Sequence, residues 1–201
     1  MKNSKRFNEL VIRIDFLRDN LLPIIRIDGE YTDLELDLTR SFILLVHAEI
    51  ENYLEDKVDE KIDIAFQQWK TTRKKSNILN SIIAFCNYDL NNNGKHSKHD
   101  KENLEYRLNL YVKKYKSIIF GNHGIKKENI LNLLLPIGIE KNDIDDTWLE
   151  TMENFGSDRG KIAHKKISLQ SFIDPETIKN EIYTNIVPTL KHIDYKLIKL
   201  C

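Results

Sequence analysis

The stretch LELDLTRSFILLVHAEIENYLEDKV, residues 34–58, decides the fold class. Leu38, Phe42, Leu45, Val46, Ile50, Tyr53 and Leu54 recur at three- and four-residue steps. At about 100° per residue they make one broad apolar face, the mark of an amphipathic helix. Glu49 falls inside that arc, between Phe42 and Tyr53. A carboxylate buried alone there would cost on the order of several kcal/mol. It must therefore pair with a basic residue of another helix or face a cleft.

Helical spacing continues on both sides. Phe7, Leu10, Val11, Ile14, Leu17 and Leu21 predict a helix over 4–22, ended by Pro23 and the Asp28-Gly29 pair. Shorter helices are expected at 60–71 and 76–87, then a polar surface loop at 88–100. Further helices follow at 101–118 and 126–135, the latter stopped by Pro136 and Gly138. Asp143 or Asp145 can cap a helix running to Phe155, with Trp148, Leu149 and Met152 inward. Gly156-Ser157 reads as a break, with Ser157 capping a new helix over 158–170. Asp174-Pro175-Glu176 is a cap, a first-turn proline and a first-turn acid, opening a helix over 175–199 that Pro188 should kink. No strand pattern persists beyond four residues. The expectation is an all-α bundle forming one domain over 1–201, with about seven to nine helices.

Composition agrees. With 7 glycines and 4 prolines in 201 residues, few tight corners are available, which favours long helices. Cys86 and Cys201 are far apart and form no Cys/His cluster, so neither structural zinc nor a disulfide framework is expected. Cys86 reads as a core thiol. No run of about 18 apolar residues appears and the charged N-terminus lacks an apolar core, so no membrane span or signal peptide is expected and the cytoplasm is the default. Net charge is zero but unevenly placed. Residues 28–63 are acidic, with only Arg40, Lys57 and Lys61 opposing, whereas 95–127 is basic. The basic stretch is either a solvated helix face or a surface that steers a polyanion.

Several chemistries can be set aside. No GxGxxG or GxxxxGK[ST] cradles a phosphate, and no GxSxG or HExxH is present. His96 and His99, in a polar loop with one nearby acid, are weak metal ligands. The segment Arg159-Gly160-Lys161-Ile162-Ala163-His164 is different. It sets a permanent cation five residues before an imidazole, flanked by Lys161, Lys165 and Lys166. Cutting RNA without a metal or other cofactor needs such groups. Histidine can take the proton from a ribose 2′-OH or protonate the leaving oxygen near neutral pH. A guanidinium can hold the phosphate through two hydrogen bonds as negative charge grows on it. On one helix the two residues lie about 140° apart. The motif therefore reads as half of a site completed by a second copy across a two-fold axis. With eight arginines and six histidines, a chance match is unsurprising, and Arg40 with His47 makes a rival pair. That pair is expected on the polar side of its helix, among acids that would repel phosphate.

Three stretches together resemble the HEPN superfamily, and within it the RiboL-PSP-HEPN group. They are Phe42–Leu54, the Gly124–Ile130 segment leading to Leu135-Pro136-Ile137-Gly138-Ile139, and Arg159–His164 with its Ala-His ending. Their order along the chain carries the likeness. The resemblance implies a helical bundle, a homodimer and metal-independent endoribonuclease activity in toxin–antitoxin or anti-phage systems, with RNA as substrate and an antitoxin protein as a partner. It maps catalysis onto Arg159 and His164, with Glu49 as a polar residue near the site; the flanking Lys161 and Lys165 are expected as supporting residues from their charge. Many members carry a polar residue, often Asn, after the arginine; Gly160 stands there instead. The alternative is a non-catalytic module that binds RNA or a partner protein.

Overall fold

A computed structural model describes residues 2–74, 76–85, 103–164 and 172–200, with His164 described in its backbone alone. The expected loop at 88–100 with His96 and His99, the thiols of Cys86 and Cys201, Lys165 and the end of the expected 158–170 helix lie outside these residues.

The described residues are helical, with no strand among them. The helices are α1 (Lys5–Leu21), α2 (Asp33–Thr72), α3 (Asn77–Phe85), α4 (Leu104–Phe120), α5 (Lys127–Leu134), α6 (Asp146–His164), α7 (Pro175–Asn180) and α8 (Val187–Lys199). None is long and apolar enough to cross a membrane. The all-α expectation holds, and the expected Asp174 cap stands, opening α7 with Pro175 in the first turn. Ser4, which the sequence expectation places inside the first helix, caps α1 through its hydroxyl, and Leu22 ends it.

Three boundaries differ from expectation. The predicted helices at 34–58 and 60–71 are one helix, because Val58, Ile62, Ala65, Phe66 and Trp69 continue the buried stripe without a cap or breaker between them. The predicted break at Gly156-Ser157 is absent: α6 runs through it. Before Pro188 the chain forms a π-helical turn, Glu181–Ile186, whose end bonds Val187 N–H to the Ile182 carbonyl. A wider turn of this kind relieves the clash a proline ring makes with the carbonyl four residues earlier.

The chain divides into two compact units. The first comprises residues 1–53, 123–128 and 144–195, and so contains α1, the first half of α2, α6, α7 and most of α8. Its interior holds Phe7, Ile14, Phe42, Val46, Ile50, Met152, Phe155, Ile182, Ile186 and Leu190. One buried polar knot fastens it. The Asp194 carboxylate, wholly buried, accepts hydrogen bonds from the Ser4 backbone N–H, the Ser4 hydroxyl and the Tyr53 hydroxyl. The N-terminal cap of α1 is thereby tied to α2 and α8.

The second unit comprises residues 54–122, 129–143 and 196–201. Here α3 packs on α4 and on the 3-10 turn Leu135–Ile137, around Leu54, Ile62, Ile82, Tyr115, Ile130 and Leu134. Gly138 ends that turn at φ +95°, with its missing Cβ facing the Ser81 hydroxyl. Lys116, from the basic stretch, bridges Asp59 and Asp63 of the acidic one at 2.9 and 2.8 Å. Part of the charge asymmetry is thus cancelled within this unit.

Candidate functional site

The Arg159–His164 element is the C-terminal part of α6. Asp145 starts that helix, its carboxylate accepting from Trp148 N–H at 2.8 Å. Trp148, Met152 and Phe155 then form an inward stripe at helical spacing, each 3% exposed or less. Arg159 is the next member of that stripe, one turn beyond Phe155. The stripe meets α2 through Phe155.

The segment 123–128 explains why α6 does not break. A Cβ built at Gly156 would lie 2.8 Å from Lys126 Cγ, so the glycine admits a close approach of that chain. The approach is fastened by Glu153, which accepts from Lys127 N–H at 3.1 Å and pairs with Lys126 at 3.6 Å. Packing at Gly156 outweighs the weak helix propensity of glycine, about 1 kcal/mol against alanine.

The residue of α2 that packs on this stripe is His47. Its ring stacks on Phe155, with centroids 6.2 Å apart and planes at 29°. Its Nδ1 is buried, makes no hydrogen bond, and lies 3.5 Å from a Glu51 carboxylate oxygen. Burial, and then the positive charge of Arg159, push the imidazole down to about 4. The nearby carboxylate would favour the cation, but without a hydrogen bond it does not reverse the effect of burial. His47 is therefore neutral at pH 7.

This corrects the sequence-based placement of the rival pair. Arg40 and His47 are not on a polar face. The His47 side chain is 3% exposed and that of Arg40 is 13%. Arg40 Nε is buried without a hydrogen bond, while its Nη1 donates to Asp37 at 2.6 Å. The periodicity alone suggested one apolar face, but α2 is buried over a much wider arc that includes Thr39 and Ile43. Conversely Leu45, expected inward, is 40% exposed.

The remaining predicted residues are dispersed. Glu49 lies about 200° round α2 from His47. It is half-buried and accepts from Arg13 Nε of α1 at 3.0 Å, an ion pair with a basic residue of another helix. Lys161 is exposed and donates to Asp158 at 2.6 Å, so its charge is partly spent locally. Asp158 also acts on Glu181 of the π-helical turn, whose carboxyl is raised first by burial and then by that neighbour. Gly160 has open space where a side chain would stand. Among the described residues no group of three or more His, Cys, Asp or Glu is arranged to hold a metal. Sequence reasoning missed that His47 is buried and stacked on Phe155 of α6; no spacing within either helix signals that packing.

The family model described as RiboL-PSP-HEPN matches residues 2–199. Comparisons with curated proteins and with solved structures gave no significant match.

Proposed function

The chain belongs to the RiboL-PSP-HEPN family, and from that premise we propose that it is a metal-independent endoribonuclease. The observation that carries this reading is an arginine on the inward stripe of α6, one turn beyond a phenylalanine stacked on a buried imidazole and upstream of a histidine on the same helix. Arg159 would bind the scissile phosphate and stabilise charge on its equatorial oxygens. His164 would transfer the proton. The ribose 2′-OH attacks the adjacent phosphorus, the 5′-oxygen leaves with a proton, and a 2′,3′-cyclic phosphate remains. A second copy of the chain would supply the group that one helix, with its two residues about 140° apart, cannot bring to the same phosphate. The proposed setting is a single-domain cytoplasmic toxin or anti-phage nuclease, with an antitoxin protein as a further partner.

The test is cleavage of RNA by the purified protein in EDTA, with mapping of the new ends. His164→Ala should abolish cutting while leaving the far-ultraviolet spectrum unchanged. Equal cutting by that variant would remove the proposal. Gly160 favours a second reading, a module that binds RNA or a partner protein without cleaving. That reading expects retained RNA binding, no products, and indifference to His164→Ala.

A further inference from the structure

The second unit contains a cleft of about 480 Å³ that the proposed reaction leaves unused. It lies between the end of α2, the linker that follows, the start of α3 and the end of α8. Its surface is of two kinds. Ile78, itself buried, and Leu200 are apolar, whereas Gln68, Lys74, Ser76 and Lys199 are polar or cationic. Among the described residues, none that lines it is acidic. The whole chain has 31 acidic and 31 basic residues, so two lysines without a carboxylate make the cleft positive against a neutral background. The Lys74 ammonium, the Gln68 amide and the Ser76 hydroxyl have no hydrogen-bond or ion-pair partner among the described residues. A solvated lysine face would be convex and wholly polar; here the cations share a concavity with apolar side chains.

The wall that carries Lys74 and Ser76 is fixed by the residue before it. Arg73 has φ +55°, a left-handed conformation uncommon for a bulky side chain. Its N–H donates to the Trp69 carbonyl at 2.8 Å, its guanidinium lies 4.3 Å from the Trp69 ring centroid, and its Nη2 donates to Glu105 of α4 at 3.1 Å. The Lys74 N–H then donates to the Thr72 hydroxyl oxygen at 3.2 Å. A backbone in this region persists where its surroundings hold it. A wall held in advance lowers the ordering cost of binding.

We propose that this cleft binds a nucleoside monophosphate. The phosphate dianion meets Lys74 and Lys199, the flat base lies on Ile78 and Leu200, and the Gln68 amide both donates to and accepts from the base edge. A cleft of this size suits one small organic molecule; inorganic phosphate alone would leave the apolar side chains uncovered. The cleft and the Arg159–His164 element belong to different units, and neither reading rests on the other.

The test is isothermal titration calorimetry of the full chain with AMP, GMP, CMP and UMP, each alone, beside the matching nucleosides and inorganic phosphate. At least one mononucleotide should bind with a Kd below about 1 mM. Its nucleoside and inorganic phosphate should each bind at least roughly tenfold more weakly, because each lacks one half of the contacts. Lys74→Glu, an exposed substitution, should weaken the mononucleotide at least roughly tenfold. The amide resonances of Thr72, Lys74, Ser76 and Ile78 should shift during the titration, a readout that needs no variant. Arg159→Gln should leave the Kd unchanged, which separates this cleft from phosphate binding at the proposed nuclease site. No binding by any of the four, an affinity untouched by Lys74→Glu, unmoved resonances at these residues, or an affinity lost in Arg159→Gln would overturn the proposal.

Discussion

Acidification should destabilise this protein well above the carboxylate range, and His47 should be the cause. The imidazole has an ordinary value of 6.5 and is held at about 4 in the fold. Above pH 6.5 the ring is neutral in both folded and unfolded chains and contributes no pH dependence. Below 6.5 the unfolded chain takes up a proton that the folded chain resists, so stability falls as pH drops toward 4. Below about 4 the folded ring also protonates and the loss levels off. At about 1.4 kcal/mol per tenfold change, the whole window amounts to roughly 3 kcal/mol, and about 2 kcal/mol of that is lost by pH 5. The comparison is His47→Phe, which keeps a flat ring against Phe155 and removes the titration. Urea unfolding at pH 7, 6 and 5, at constant ionic strength, measures both proteins. Between pH 7 and pH 5 the natural protein should lose about 2 kcal/mol more than the variant. Asp19, Glu35 and Asp174 are lowered by hydrogen bonds within the fold, so their stabilisation is lost at lower pH and is common to both proteins. An identical slope for the two proteins between pH 7 and pH 5 would refute the reasoning.

Other outcomes follow from single contacts. Asp194→Ala strips three donors, from Ser4 and Tyr53, of their buried acceptor, and should lower urea-unfolding stability by about 3 kcal/mol. Gly156→Val drives a side chain into Lys126 and should cost about 1–3 kcal/mol in the same assay. Gly160→Ala meets nothing and removes a glycine from a helix interior, so it should raise stability by about 0.5–1 kcal/mol. Glu49→Gln breaks only a half-exposed pair with Arg13, and should change stability by less than about 1 kcal/mol.

How much of this was legible in the sequence varies by residue. The periodicity of Phe7 to Leu21 and Leu38 to Leu54, with caps at Asp174 and at Asp143 or Asp145, determined the helices without reference to any neighbour, because hydrogen bonding and capping within a helix are local. The same locality misread Gly156, where propensity argues for a break and the Lys126 segment, far away in sequence, overrides it. It misread His47 as well. A helical wheel assigns a residue an angle, but whether that angle meets water or protein depends on how many elements surround the helix.

The candidate site shows the same division. The residue types and spacing from Arg159 to His164, with the family likeness in three ordered stretches, needed only the sequence. Which ring packs on the stripe that carries the arginine did not follow from it. His47 and Arg159 are 112 positions apart. That His47 lies against Phe155, one turn before Arg159, is settled by α6 packing on α2, which neither segment encodes alone.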